Sequence, residues 1–565
     1  MSKKTKIKKS SKVKRLFRPN KADEKATFKN ENTIKRVENV VVIALMVFLV
    51  ILHFIFFLHS GVLWRDEIST VNLINLPLWS ALWGNLHFDS FPVLWILLLK
   101  AWSAAGLAST DATLRLLGLI IGFGVLSALW YAARSLEMRL PIISLVLFAM
   151  SPVVFFGDTL RAYGLGVLLI LLSLGAMWRF LRHPTVMRMI LCAAIIILSV
   201  HSLYHNSFLV FAICVSAAVV GVYRRQRKVI LFSLGTGMIA AISLLPYIGI
   251  ISKVGDYNVI MKFPITLSWI CDKLKQTIDP SGILLTWIWI TLALFTIIIL
   301  IWFLVKSMPT RFGEQKDLAV FLLSTMVISV IAYIFFIKIL SYPTQSWYYL
   351  PLLAILIVII DKAIDIVCKN NLSRRVIRIV CVLGVAAATF TNSWDAAHIR
   401  RTNMDVLATK LETLVGKNDL IVVTRHYYGI SFARYYKGSV SWVTLPEIAD
   451  HSGHRYDLVK NKMMESEPIK HLLQKTISTM QGGNNVWLVG GLDFLRPGEI
   501  PRELPPAPNS SYGWSEGAYL SAWSDMVAYT LQTYGQTLTF ISIPVDDPVS
   551  ELENLPLMVV GGWRP

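Results

Sequence analysis

The sequence predicts a mainly α-helical protein that crosses a membrane many times and carries a C-terminal α/β domain outside the bilayer. Of its 565 residues, 55% are hydrophobic, and the mean hydropathy is +0.57. A single water-soluble domain cannot bury so large a fraction of hydrophobic residues in one core. Apolar runs long enough to span a bilayer recur up to residue 392, whereas in residues 394–565 the apolar runs shorten to strand length.

Charge and cysteine usage exclude two other classes. The net charge of +20 lies largely before residue 39 and in short loops between apolar runs. That distribution indicates membrane orientation and contact with anionic membrane lipids, with no nucleic-acid partner. The five cysteines lack the spacing of a disulfide framework or a zinc site, so we expect neither redox chemistry nor structural metal. Residues 1–38 are rich in Lys, Ser and Asn and predict a disordered cytoplasmic arm.

Eleven spans are predicted within a transmembrane module of residues 39–393. The first, residues 39–58, is apolar for about twenty positions and no small-residue cleavage site follows it, so we interpret it as a retained anchor. The other ten are predicted at residues 115–133, 140–157, 162–179, 187–203, 206–223, 229–250, 283–305, 317–337, 347–366 and 376–392.

The positive-inside rule decides the placement of the apolar stretch Phe91–Ala105. If this stretch does not cross, the basic loops between spans all face the cytoplasm with the N-terminus; if it crosses, they all face outward. We therefore predict a juxtamembrane helix at the outer interface, an N-terminus inside and a C-terminus outside. The first outer loop, residues 59–112, then shares the outer face with the C-terminal domain, residues 394–565.

Two adjacent acids, Asp66 and Glu67, follow the outer end of the first span. Ionised carboxylates at a bilayer edge are costly unless they are solvated, paired or used, so both are functional candidates. The alternative for Asp66 is that it caps a short interfacial helix. The other outer turns also gather polar side chains, whereas the cytoplasmic turns are plain basic connectors. These patterns place the predicted catalytic cleft on the outer face.

The C-terminal residues carry a mixed pattern. Short buried strands are predicted at residues 419–424, 485–491 and 538–544. Helices are predicted at residues 429–436 and 522–534. A small extracytoplasmic α/β domain follows from these elements. Its aromatic cluster, which could stack on sugar rings or pack a helix on the sheet, comprises Tyr427, Tyr428, Tyr435 and Tyr436.

Four short segments carry a resemblance to a known family. They are W-R-D-E at 64–67, D-S-F-P-V-L-W at 89–95, D-A-T-L-R-L at 111–116, and S-P at 151–152 followed by T-L-R-A-Y at 159–163. In this order they resemble conserved segments of family 39 of the GT-C glycosyltransferases, which includes protein O-mannosyltransferases and the aminoarabinose transferases of lipid A. The later spans match by hydropathy only. The family's His-Pro pair is Phe91-Pro92 here, and the nearest histidine is His87.

The resemblance implies an inverting glycosyltransferase of the bacterial cytoplasmic (inner) membrane. It would move a sugar from a polyprenyl phosphate donor to a hydroxyl of a lipid, glycan or protein acceptor on the outer face. Asp66 is the expected base, with Glu67 as the second catalytic candidate. The expected substrate-binding residues, including the cations for the departing phosphate, are Arg161, Tyr163, Arg115, His205, Tyr204, Lys262 and His87.

Several alternatives stay open at this point. No cofactor is expected, but two carboxylates with His205 could hold a divalent cation. A ligase that transfers a whole polyprenyl-linked glycan, as oligosaccharyltransferases do, is the nearest rival among enzymes. A lipid flippase or transporter would place paired charges deep inside the spans. A non-catalytic scaffold would leave the acids of the first loop and Arg161 without a role.

Overall fold

The computed structural model describes residues 21–89, 91–280, 282–306 and 313–565. Its first helix, α1 (Lys21–His59), begins well before the predicted first span. The prediction of a disordered arm is therefore wrong for residues 21–38, and residues 1–20 lie outside the described residues.

The buried carboxylate of Glu38 anchors helix α1 just before the predicted first span. Arg139, Arg375 and Arg378 donate hydrogen bonds to it at 3.0, 2.5 and 2.8 Å. A buried carboxylate needs such partners, and these come from two other helix ends. The four residues define what we call the Glu38 end of the bundle; the opposite end, where Asp66 lies, is the Asp66 end.

Eight helical segments of the described chain are long and apolar enough to cross a membrane. Each coincides with a predicted span. They are α1 from Glu31 onward, α5 (Asp111–Ser135), α7 (Tyr163–Arg182), α9 (Asn206–Tyr223), residues 227–261 containing α10 (Arg227–Ile242) and α11 (Ile248–Asn258), α13 (Leu284–Lys306), α14 (Gly313–Leu340) and α16 (Leu372–Ala397).

Three predicted spans do not meet that standard, so length and composition support eight of the predicted eleven. Helix α8 (Val186–Ser202) has only 17 residues. Helix α15 (Leu350–Cys368) is apolar but carries Asp361, Lys362 and Asp365 in its last turns. The segment 142–157 is broken into a single α turn (α6, Ile142–Ser144), a π turn (Leu145–Ala149) and a 3₁₀ turn (Pro152–Gly157). Pro152 has no N–H and disfavours helix before it, which interrupts the segment.

Contacts nevertheless show that these three segments run from one end of the bundle to the other. Before the broken segment, Arg139 bonds Glu38, and after it Arg161 donates to the Asp66 carbonyl at 2.9 Å. Helix α15 begins beside Trp347, whose ring lies 6.3 Å from that of Trp64, and ends where Asp365 pairs with Arg378 at 3.5 Å. At the start of helix α8, Arg188 donates to the Arg179 carbonyl at 2.9 Å, and near its end His201 bonds the Tyr247 hydroxyl at 3.1 Å. The bundle therefore has eleven end-to-end segments among the described residues.

Four short helices lie across the Asp66 end: α2 (Arg65–Ile74), α3 (Trp79–Asn85), α4 (Val93–Ala104) and α12 (Leu267–Ile278). Helix α4 occupies the stretch that the charge argument kept outside the bilayer. Both of its ends are held at this end of the bundle, since Val93 N–H donates to the Tyr247 hydroxyl at 3.2 Å and the Trp102 indole donates to the Thr113 carbonyl at 3.0 Å. The helix therefore lies at one end of the bundle, and its position outside the bilayer stays a prediction.

The C-terminal residues form an α/β domain around a five-stranded sheet. Its strands are β1 (Leu420–Val423), β2 (Trp442–Thr444), β3 (Val486–Val489), β4 (Thr537–Ile541) and β5 (Leu557–Gly561). Their order is β2-β1-β3-β5-β4, with β1 parallel to its two neighbours and β5 antiparallel to its two. Helices α17 (Met404–Leu414), α18 (Tyr428–Tyr435), α19 (Tyr456–Met464), α20 (Lys470–Gln481) and α21 (Glu516–Tyr534) complete the domain.

Three strands and two helices of this domain were predicted from the sequence, and each is confirmed. Strands β1 and β3 are buried along their whole length, because helices cover both faces of the central sheet. Strand β2 was missed because only three residues pair. Strand β5 was missed because Leu557–Gly561 follows a proline-containing turn close to the chain's end.

The domain sits directly on the first loop of the membrane bundle. Arg434 pairs with Asp111 at 2.5 Å, and the Tyr435 hydroxyl donates to the same carboxylate at 2.7 Å. Asn72 on α2 donates to the Ser452 carbonyl at 3.0 Å. Polar contacts of this kind fix the orientation of the domain over the Asp66 end.

Candidate active site

The site is built on α2, whose first turn carries both acids. The helix begins at Arg65, and Glu67 closes its N-terminus by accepting the Trp64 N–H at 3.2 Å. The capping role considered for Asp66 therefore belongs to its neighbour. Successive helical residues point about 100° apart, so the two acids face different surroundings. Glu67 faces the bundle and Asp66 faces the C-terminal domain.

Glu67 is fully buried and all its contacts are internal. Arg115 approaches both of its oxygens, at 3.1 and 2.9 Å, and the Leu160 N–H donates to it at 2.7 Å. Arg115 also donates to the Gly61 and Val62 carbonyls, at 2.9 and 2.7 Å. This pair joins the first loop, α5 and the loop before α7, and neither side chain lines the cleft described below.

Arg161 follows the broken segment and is buried beneath α2. Its Nη1 reaches the Asp66 carbonyl at 2.9 Å, the Thr70 hydroxyl at 2.8 Å and Asp89 at 2.8 Å. Its guanidinium lies 4.3 Å from the centre of the Phe91 ring. Burial acts to lower the pKa of Arg161, but the carboxylates of Asp89 and Asp66 outweigh it and raise that pKa above its usual value. Its positive charge is therefore permanent.

Asp66 is held by two partners at one oxygen. His454 Nε2 lies 3.1 Å from Oδ1, and Arg65 Nε lies 3.6 Å from the same atom. Burial acts to raise the pKa of Asp66, but the hydrogen bond from His454 and the charges of Arg65 and Arg161 outweigh it and hold that pKa well below its usual range. The carboxylate is ionised at neutral pH, and its Oδ2 takes none of these contacts.

A cleft of about 180 Å³ opens over this carboxylate. Aromatic rings dominate its wall, and the charged groups Arg65, Asp66 and Arg161 share it with His454. The rings come from the first loop, the start of α7, the turn before α15 and the C-terminal domain, and they are Trp64, Phe88, Tyr163, Tyr342, Trp347, Tyr348, Tyr427 and Tyr456. A polar centre within an aromatic wall is a common design for binding a small polar ligand.

The remaining predicted residues lie around the cleft without lining it. His205 packs behind Tyr348, 6.0 Å between ring centres, and burial lowers the pKa of His205 to about 3. Tyr204 packs edge-on against Tyr247, and His87 lies beside Phe88, at 5.7 and 4.0 Å between ring centres. Lys262 follows the last turn of the 227–261 segment and is not part of the cleft wall. Of the predicted set, the cleft brings together Asp66, Arg161 and Tyr163.

Sequence reasoning missed the contribution of the C-terminal domain. His454, Tyr456 and Tyr427 reach the cleft from that domain, which supplied no readable motif. The one available signal was the aromatic cluster, whose members have different positions. Tyr427 lines the cleft, whereas Tyr435 bonds Asp111 and so holds the domain on the first loop. Arg65, next to the recognised acids, was also missed; its guanidinium lies 5.0 Å from the Tyr427 ring centre and pairs with buried Glu553 at 3.2 Å.

No group of three or more His, Cys, Asp or Glu side chains that could hold a metal occurs within residues 21–565 as far as they are described. His205 is separated from Asp66 by the aromatic wall, so the predicted alternative of a cation held by the two acids and His205 is not assembled here. The expectation of a reaction without cofactor stays a prediction.

Comparison with known proteins gives structural similarity alone. No family model and no curated protein sequence matches the chain. The crystal structure of ArnT from Cupriavidus metallidurans bound to undecaprenyl phosphate is similar over 92% of this chain and 97% of its own, with 12% identity and a TM-score of 0.46. The Archaeoglobus fulgidus oligosaccharyltransferase tethered with an acceptor peptide is similar over 89% of this chain and 75% of its own, with 11% identity and a TM-score of 0.44.

Both neighbours are less than 25% identical to this chain. With TM-scores below 0.5, they show what this chain is similar to, and its chemistry has to be argued from its own side chains. On its own contacts, the chain is a polytopic α-helical membrane protein whose C-terminal α/β domain closes an aromatic cleft over Asp66.

Proposed function

We propose that this chain transfers a sugar from a polyprenyl phosphate donor to an acceptor hydroxyl, with inversion at the anomeric carbon. The observation that carries the proposal is that the Asp66 carboxylate and the Arg161 guanidinium line one aromatic cleft. A base for the acceptor and a fixed cation for the departing phosphate are the two groups that this displacement needs.

In the proposed reaction the acceptor oxygen bonds the anomeric carbon as the bond from that carbon to the phosphate oxygen breaks. The polyprenyl phosphate leaves with the bonding electron pair. The acceptor's proton passes to Asp66 Oδ2, the oxygen that His454 and Arg65 leave free. Proton transfer to a positioned carboxylate contributes about 10²–10⁴-fold to such a rate.

Arg161 supports the proposal because its charge is fixed in place and incompletely used. Its Nη1 is committed to protein oxygens, whereas its buried Nε has no hydrogen-bond partner in the described chain. A preorganised cation at the cleft wall stabilises charge that grows on a leaving phosphate. We assign Glu67 and Arg115 a different task, which is to position the first loop, because they pair with each other away from the cleft wall that Arg161 lines.

A lipid-linked donor also needs an apolar groove for its chain. A groove of about 930 Å³ lies between α13, α15, α16 and residues 143–147, and nearly all its lining is apolar. Such a lining suits an isoprenoid chain. From residues 140–250, only Ile143, Val146 and Leu147 line it.

The test is transfer of radiolabelled sugar from a panel of polyprenyl monophosphate sugars by the full-length wild type, Asp66→Asn and a control, Asp272→Asn. Asp272 is an exposed aspartate on α12, at the same end of the bundle. We expect Asp66→Asn to lose about 10²–10⁴-fold in rate and the control to lose nothing. Normal transfer by Asp66→Asn would reject Asp66 as the base, and no transfer from any donor by the wild type would reject the function.

A further inference from the structure

A second polar pocket lies at the Glu38 end, far from the cleft. It occupies about 540 Å³ between the ends of α5 and α7 and the start of α8. Four arginines line it: Arg134, Arg179, Arg182 and Arg188. We call it the basic pocket. Nothing in the proposed transfer uses it.

Two of the four arginines of the basic pocket have no acidic partner among the described residues. Glu137 pairs with Arg182 at 2.5 Å, and Arg188 donates to the Arg179 carbonyl at 2.9 Å. Within the described chain, Arg134 and Arg179 make no ion pair or side-chain hydrogen bond. Arg134 lies over the Trp130 ring at 5.6 Å and Arg179 over the Tyr131 ring at 4.5 Å. These two guanidiniums therefore have no carboxylate partner among the residues that the structure describes.

The three arginines that bind Glu38, at the same end of the bundle, are an example of arginine charges that the protein balances. There three arginines converge on a buried carboxylate, and Asp365 lies 3.5 Å from one of them. Among the described residues, no acid lines the basic pocket. A bound anion would balance the unpaired positive charge of the pocket's arginines.

Next to the arginines, the surface of α8 is apolar and exposed. Val186, Met187, Ile190 and Leu191 follow one another along the first turns of this helix, and each is more than half exposed. Met187 and Leu191 belong to the pocket wall itself. In a bilayer such side chains contact acyl chains. The pocket thus has arginine side chains on one side and the exposed apolar side chains of α8 on the other.

We propose that the basic pocket binds the phosphate headgroup of an anionic membrane lipid, whose acyl chain lies along the exposed face of α8. Guanidinium groups bind phosphate oxygens through two parallel hydrogen bonds, and Arg134 and Arg179 have these donors available. Ser135 and Thr185 bring hydroxyl groups to the same pocket for the remaining headgroup oxygens. This site is independent of the proposed transfer at Asp66.

The test uses the full-length protein in detergent, titrated with phosphatidylglycerol, phosphatidylcholine or inorganic phosphate and followed by native mass spectrometry. The variant is R134Q/R179Q, and the matched control is R227Q/K228Q. The control removes two exposed cations from the start of α10, at the same end of the bundle but outside the pocket. We expect the wild type to retain phosphatidylglycerol in preference to phosphatidylcholine, and R134Q/R179Q to bind it at least about tenfold more weakly.

Three outcomes would overturn the proposal. Equal loss of phosphatidylglycerol in R134Q/R179Q and R227Q/K228Q would mean that general charge attracts the lipid. Unchanged binding in R134Q/R179Q would place the lipid elsewhere. Displacement of the lipid by millimolar inorganic phosphate, with no contribution from the chain, would identify a soluble anion as the ligand.

Discussion

The two ends of the bundle solve the same physical problem and differ in one respect. Each ties its helices together with a buried carboxylate held by arginine: Glu67 with Arg115 at the Asp66 end, and Glu38 with three arginines at the other. Among the described residues, only the Asp66 end adds a further carboxylate that keeps one oxygen free in a cleft. A buried, paired acid is therefore no sign of catalysis in this molecule, and an unused oxygen marks a candidate only where, as at Asp66, it opens on a cleft.

The first prediction concerns the two buried carboxylates, and it has the largest expected effect on stability. If it fails, the two ends of the bundle are not held together in the same way. Glu67→Gln and Glu38→Gln should each destabilise the protein by about 3–5 kcal/mol, because each leaves buried arginine charge without its counter-ion. The measurement is the unfolding temperature in detergent, with exposed Glu551→Gln as the control.

The same variants separate a positioning role from a catalytic one at Glu67. If Glu67→Gln keeps the wild-type unfolding temperature and still loses transfer to the extent expected of Asp66→Asn, then both adjacent acids act in the chemistry. That result would contradict the division of tasks between the two acids.

The sequence was a good guide to what depends on local pattern. Apolar length located the spans, and the balance of basic loops predicted that Phe91–Ala105 lies along one end of them, where the contacts of α4 hold it. It failed where a long-range contact decides the outcome. The helix over residues 21–38 is anchored through Glu38 by arginines more than 100 residues away in sequence, and no local pattern encodes that.

The candidate site shows the same division. Asp66 and Arg161 were found because each lies in a short recognisable segment next to a span end. Glu67 and Arg115 were assigned to the chemistry for the same reason, but they neutralise each other inside the bundle. His454 lies 388 residues from Asp66 and reaches it only through the docking of a separate domain.

The second prediction sharpens the comparison by removing the partner that the Asp66 carboxylate has in the C-terminal domain. His454→Ala should lower transfer roughly ten- to a hundredfold, since a hydrogen bond to a charged group is worth about 1.5–3 kcal/mol. It should also raise the pKa of Asp66, because the hydrogen bond and charge of His454 help to hold that pKa down. The acid limb of the pH–rate profile should then move to higher pH.

The pH profile distinguishes positioning from a purely structural role for His454. His454→Gln can still donate a hydrogen bond to Asp66, so it should recover part of the rate while leaving the acid limb between those of the wild type and His454→Ala. A variant that loses rate with no shift of the acid limb would show that His454 only supports the fold. His471→Ala, exposed on α20, serves as the control.

The smallest expected effect concerns the docking of the C-terminal domain, which brings His454 to the cleft. Burial and the nearby Asp111 raise the pKa of Tyr435 above its usual value, so its hydroxyl stays protonated and donates to Asp111 at 2.7 Å. Tyr435→Phe should cost only about 1 kcal/mol, since Asp111 keeps Arg434 as its partner. The unfolding temperature should fall slightly, transfer should change by a few-fold at most, and exposed Tyr529→Phe should change neither. A loss of transfer as deep as that of Asp66→Asn would mean that domain docking, and not the free oxygen of Asp66 alone, distinguishes the two ends of the bundle.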